Sequence, residues 1–70
     1  MNHRLVNARR AIGWTMERAA GNLLISLSHY TKLEHGTRKP SIHLARAINN
    51  IYDARIYEVT PAGVSVKEGE

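Results

Sequence analysis

Seventy residues without a cysteine make one small domain that neither a disulfide nor a Cys-type zinc site can staple. A hydrophobic share of 43% is that of a globular chain, and the longest unbroken apolar stretch, Leu23-Leu24-Ile25, is far short of the ~20 residues of a membrane span. The net charge of +4 is uneven: residues 1–50 carry eight Lys/Arg against Glu17 and Glu34, while residues 51–70 carry Arg55 and Lys67 against four acids, so the tail is mildly acidic and the body is basic, which suits a polyanion (nucleic acid or an anionic membrane surface) as well as a plain solvated surface.

Apolar residues recur at helical spacing. Leu5, Ala8 and Ile12 step by three and four, so residues 3–12 are expected to form a first helix ending at Gly13. Thr15 followed by Met16, Glu17 and Arg18 joins a hydroxyl cap to an acid in the first turn. It starts a short second helix, Thr15–Leu23, with Ala19, Ala20 and Leu23 inward. Ser26 caps a third, which runs to Glu34 and ends at His35-Gly36. Its Tyr30 and Leu33 share one face, and Leu27, Ser28, His29 and Lys32 look elsewhere. Thr37-Arg38-Lys39-Pro40 is a basic loop, after which Ser41 caps a fourth helix with Ile42, Ala45, Ile48 and Tyr52 as its buried stripe.

Asp53 marks a turn, and Arg55–Val59 reads as a short fifth helix. Beyond Pro61 the preferred reading is a frayed tail. The alternative is a hairpin of Arg55–Thr60 with Val64–Lys67 over Pro61-Ala62-Gly63, since Val64-Ser65-Val66 alternates as a strand does. The expected class is all-α, a compact bundle of four to five helices. Residues 1–59 are expected to form its body, and residues 60–70 a tail or dimerisation segment.

Other chemistries find little support. His3, His29, His35 and His43 follow no established ligand spacing and no cysteine joins them, so no metal or other cofactor is expected. No nucleophile elbow or glycine-rich phosphate loop frames a catalytic group, and a chain of this size has little room for a shielded pocket. The protein is not expected to be an enzyme. Nothing in Met1–Arg10 resembles the apolar core of a signal peptide, and the chain is expected to act in the cytoplasm.

Two short helices joined by a tight turn form a helix-turn-helix unit, in which the first helix braces and the second presents side chains to base edges. Arg4-Leu5-Val6-Asn7-Ala8-Arg9, Gly13-Trp14-Thr15, Ala20, Ile25-Ser26, Tyr30, Leu33-Glu34, Gly36, Arg38-Lys39-Pro40-Ser41-Ile42 and Ile56-Tyr57-Glu58-Val59 together resemble the Cro/C1-type (XRE) helix-turn-helix family. The resemblance runs without a gap from Arg4 to Val59 and is most specific from Ile25 to Pro40.

That resemblance implies a bundle of the lambda-repressor-like type and a DNA-binding regulator, usually a homodimer. It places Leu27, Ser28 and Lys32 at the positions that reach base edges. Met16, Arg38, Lys39 and Ser41 fall at positions that meet the DNA backbone, and Arg9 with Glu34 at those of a structural ion pair; Thr15 and His29 are taken beside them as further backbone contacts. Trp14 and Tyr30 are read as core. The sequence departs from the family's pattern at three points: Leu24 replaces a typical turn glycine, Met16 replaces a frequent glutamine, and Leu27 offers a base no hydrogen bond, only contact with a thymine methyl. The expected function is a small repressor, and the second reading is an antitoxin or regulator antagonist that binds a protein partner.

Overall fold

The computed structural model describes residues 1–66 and contains, in order, α1 (His3–Ala11), α2 (Met16–Asn22), α3 (Leu27–His35), α4 (Ile42–Tyr52), β1 (Tyr57–Thr60) and β2 (Gly63–Val66). Each helix begins on a short polar side chain that accepts a hydrogen bond from an N–H of the first turn. Asn2 accepts from Leu5, Thr15 from Arg18, Ser26 from His29 and Ser41 from Leu44, all at 3.0–3.2 Å. These caps fix where each helix starts more sharply than the apolar spacing does.

All four helices stop in the same way. One residue past the last turn adopts the left-handed conformation, and two backbone bonds close back over the helix end. The left-handed residues are Gly13, Leu24, Gly36 and Asp53. At the end of α2, Leu24 N–H donates to the Gly21 carbonyl and Ile25 N–H to that of Ala20. The same pair of bonds recurs at the ends of α1, α3 and α4. At Gly36 the backbone of Met1 and Asn2 lies 3.8–3.9 Å from where a Cβ would sit, an ordinary contact, so the positive φ is what favours glycine there. Leu24 therefore keeps the ordinary turn geometry at φ 58°, and its side chain, 92% exposed, is thrown into solvent.

The core gathers Leu5 from α1, Ala19 and Ala20 from α2, Tyr30 and Leu33 from α3, Ala45, Ile48 and Tyr52 from α4, and Ile56 and Tyr57 beyond it. The two alanines let α2 lie close against its neighbours, since a larger side chain there would hold the helices apart. Two residues expected inside are outside. Ile12, the last residue of its stripe, follows α1 as its cap and is 47% exposed; Ile42, in the first turn of α4, is 41% exposed. Both sit at helix ends that project past the core, where periodicity still holds but no neighbour is left to pack against.

The C-terminal segment overturns the preferred reading of the sequence. Arg55–Val59 is not a fifth helix, and the residues after Pro61 are not a frayed tail through Val66. They form an antiparallel hairpin that pairs Tyr57 with Val66, Glu58 with Ser65, Val59 with Val64 and Thr60 with Gly63. The fold is thus helical with a two-stranded sheet, and not purely all-α. The reason is local and tertiary together. Tyr57, Val59, Val64 and Val66 alternate inward with Glu58 and Ser65 outward, a period of two that a helix would split between faces. Asn49 on α4 also holds the backbone extended: its side-chain oxygen accepts from Ile56 and Tyr57 N–H, each at 3.0 Å, and its amide donates to the Tyr57 carbonyl at 2.9 Å. Lys67, the last residue of the alternative hairpin, lies outside the described residues.

Because Leu24 has nothing to lose in packing and sits in a region that non-glycine residues enter at a cost, Leu24→Gly is expected to stabilise the fold by about 0.5–1 kcal/mol after the entropy of the unfolded chain is counted. Urea denaturation measures this. A loss of more than about 1 kcal/mol would mean that the leucine packs on something.

Candidate nucleic-acid interface

The orientation of α3 is set by polar bonds on its buried face. Glu34, 3% exposed, receives the Arg9 guanidinium from α1 at two points, Nε to Oε2 at 2.6 Å and Nη2 to Oε1 at 3.3 Å. The remaining Arg9 nitrogen, Nη1, donates to the Trp14 carbonyl at 2.8 Å, so one side chain ties α1, the α1–α2 loop and α3 together. The pairing with Glu34 holds the Arg9 pKa above its ordinary value. Asn2 N–H donates to the Glu34 carbonyl at 2.8 Å, and the Asn2 amide reaches the Tyr57 hydroxyl at 3.3 Å.

One turn earlier on α3, Tyr30 shares a hydrogen bond with Tyr52 of α4 at 2.7 Å between hydroxyls. Burial, with the Tyr52 hydroxyl and the Glu34 carboxylate beside it, pushes the Tyr30 pKa far up, so both phenols stay neutral. Among the described residues no buried side-chain nitrogen or oxygen lacks a partner. The frame under α3 is closed and satisfied.

Opposite that frame α3 turns a polar stripe to solvent. Tyr30, Leu33 and Glu34 occupy the buried side, which leaves Ser28, Lys32 and His35, spaced four and three apart, along the exposed side. Leu27, 42% exposed, and Thr31 form the flank nearer α2. Thr31 donates its hydroxyl back to the Leu27 carbonyl at 2.8 Å and touches the Met16 sulfur at 4.0 Å. Met16 accordingly leans on α3, and as the first residue of α2 it keeps its backbone N–H outside the helix ladder.

On the other flank His29 is partly buried, and Lys32 and Arg38 lie near enough for their charges to act on it. Its pKa is lowered from the usual 6.5, first by burial and then by those two cations, so the imidazole is neutral near pH 7 in the free protein. Arg38, Lys39 and Ser41 are exposed where the chain leaves α3 and enters α4, and Thr15 is exposed at the start of α2. Trp14 is half-buried, tilted at 57° against Tyr52 with 5.9 Å between ring centres, and covered by the Arg18 guanidinium at 5.5 Å.

Candidate positions named from the sequence thus lie at the start of α2, on the outer side of α3 and in the loop after it, with Arg9 and Glu34 in the frame beneath α3. His35 and Thr31 join them there. The spacing from Ser28 through Lys32 to His35 was the available signal for His35, and the step of four from Leu27 was that for Thr31. The histidines do not converge: among the described residues no three His, Asp or Glu side chains come together as a metal site. No described helix is long and apolar enough to cross a membrane.

A family model described as helix-turn-helix matches residues 5–59, and this chain belongs to that family, the Cro/C1-type (XRE) class of DNA-binding domains. No curated protein and no solved structure matches the chain significantly.

Removing one partner of the Arg9–Glu34 pair leaves the other buried and unpaired. Arg9→Ala is expected to cost about 3–5 kcal/mol in urea denaturation, whereas Arg9→Met combined with Glu34→Leu is expected to cost much less. A single-variant loss below about 1 kcal/mol would show that the pair does not hold the helices.

Proposed function

We infer that this protein is a transcriptional repressor that binds double-stranded DNA sequence-specifically as a homodimer, with α3 in the major groove. The observation that supports this most is the outward stripe of α3 with a cationic loop at its end and no acidic side chain on it. An α-helix with its side chains is about 10–12 Å across, which a major groove roughly 12 Å wide admits, and α3 offers nine residues to it. Ser28 and Lys32 reach base edges in this reading, and Leu27 meets a thymine methyl. Arg38, Lys39, Ser41, His29 and the Thr15–Met16 start of α2 meet phosphates and set the register. Residues 1–59 are the DNA-binding unit and residues 60–70 contribute to dimerisation. A cytoplasmic site of action and the absence of a cofactor or catalytic role belong to the same reading.

Lys32→Ala is expected to relax specificity at about one base pair, at a cost of about 1–3 kcal/mol on the preferred site. Arg38→Ala is expected to weaken preferred and random duplexes alike and to lower the salt slope by about 0.9. Gel shifts across a salt series on both duplexes test this, and equal losses for both variants on both duplexes would remove the base-contact assignment.

A phosphate beside His29 favours the imidazolium that the free protein disfavours. Binding should therefore take up a proton and tighten as pH falls through the window just below 6.5. The free protein moves the other way, since the stability that comes with a neutral His29 is complete above 6.5 and declines as pH falls below it. Affinity of the wild type and His29→Gln measured across this window checks the assignment. A slope unchanged in the variant would place His29 away from phosphate.

The second reading, an antitoxin or regulator antagonist, draws on the exposure of Leu24 at 92% and Leu27 at 42%, apolar groups that a protein partner would cover. Absence of any shift on random duplex at low salt, together with association to a different protein, would favour it over DNA binding.

A further inference from the structure

A cavity of about 380 Å³ opens between α4 and β1 and shares no residue with the surface proposed to face DNA. Its size is within the roughly 300–1,000 Å³ of small-molecule sites. The cavity lies beside the bond that holds the hairpin. Asn49 of α4 fills its side-chain oxygen with the Ile56 and Tyr57 N–H groups and gives its amide to the Tyr57 carbonyl, so that β1 stands alongside the helix. In an antiparallel ladder, residues alternate between those that turn their N–H and C=O to the paired strand and those that turn them away. Tyr57 turns both away, to Asn49. Val59, two residues on and paired with Val64, turns its own N–H and C=O to that same edge. Among the described residues those two groups meet no hydrogen-bond partner.

Two guanidiniums line the same cavity. Arg46 is three residues before Asn49 on α4, and Arg55 is in the link from α4 to β1; both are exposed. Arg9, by contrast, has all three of its nitrogens engaged. Among the described residues neither Arg46 nor Arg55 has a hydrogen bond or an ion pair, although Glu58 also lines the cavity. Two unengaged guanidiniums and an outward backbone N–H are the donor set of an oxyanion. We propose that this cavity binds a small phosphate ester, with the phosphoryl group held by Arg46 and Arg55 and by the Val59 N–H. A phosphate monoester carries close to two negative charges at neutral pH, which two guanidiniums match. Glu58 sets the selectivity: its carboxylate repels any further negative charge, so one phosphoryl group is preferred to a polyphosphate. The donors come from α4, from the link and from β1, so the bound ester clamps the hairpin onto the helix. The inference is independent of the DNA reading.

The test titrates the full chain with glycerol phosphate, and separately with inorganic phosphate, against sodium chloride of equal ionic strength. Thermal melting and the resonances of the isotopically labelled protein are followed together. The melting temperature is expected to rise by roughly 5 °C once the ester exceeds its Kd about tenfold. The amide of Val59 and the guanidinium resonances of Arg46 and Arg55 should move saturably. Arg46→Gln and Arg55→Gln, both at exposed positions, should keep the helical circular dichroism and each weaken binding by about tenfold or more. Glu58→Gln should tighten it, and Arg38→Gln combined with Lys39→Gln should leave it unchanged.

A response matched by chloride, one that never saturates, or one centred on Arg38 and Lys39 would overturn this site. So would equal binding by wild type, Arg46→Gln and Arg55→Gln. Displacement of glycerol phosphate from the cavity by a DNA duplex would make Arg46 and Arg55 contacts to the DNA backbone and overturn the small-ligand assignment.

Discussion

The bond between Arg9 and Glu34 joins the first helix to the third across the interior, and much of the geometry of the surface proposed to face DNA depends on it. A carboxylate taken this far out of water is costly unless its lone pairs are filled. Arg9 fills them at 2.6 and 3.3 Å, and its third nitrogen holds the Trp14 carbonyl just before α2 begins. The backbone carbonyl of Glu34 is claimed separately by Asn2, and the tyrosine pair one turn back fixes α3 against α4. An apolar core alone would let α3 rotate or slide with little penalty. Directional bonds at both ends of its buried face remove that freedom, so its opposite face points in one direction.

What that opposite face carries is unusual in balance. Ser28 and Lys32 offer hydrogen bonds, Leu27 offers only surface, and Met16, leaning on Thr31, withdraws its side chain from any phosphate. Positive charge is concentrated on the His29 side and in the Arg38–Lys39 loop. The proposed division of labour follows from this: the loop and helix starts supply attraction that any sequence satisfies, and a short stripe of α3 supplies discrimination. Few discriminating side chains per protomer would make a second copy valuable to the proposed function.

The helical part of the fold was legible because it is written in local chemistry. Thr15, Ser26 and Ser41 mark three helix starts, and Gly36 with Asp53 marks two helix ends, without reference to anything distant. The placement of Leu27, Ser28 and Lys32 away from the buried face of α3 follows from periodicity in the same way, and the family resemblance, which the family model bears out, added the roles proposed for them. The hairpin was misjudged because its decisive contact is tertiary. Ile56-Tyr57-Glu58-Val59 is too short for periodicity to separate helix from strand, and the arbiter, Asn49, belongs to a different element. Ile12 and Ile42 failed for a related reason, since a stripe drawn on a helix does not say where the neighbouring helices end. His35 continues the spacing of Ser28 and Lys32 but lies one residue past the helix end expected at Glu34.

The most direct test of the account is to follow the amide and side-chain resonances of the isotopically labelled protein as a duplex carrying its preferred site is added. The account predicts that the largest changes fall on Leu27, Ser28, Lys32, His35, Arg38 and Lys39, with smaller ones at Thr15 and Met16. Largest changes around Leu24, Ala47 and Ile51, with the outer face of α3 unmoved, would contradict it.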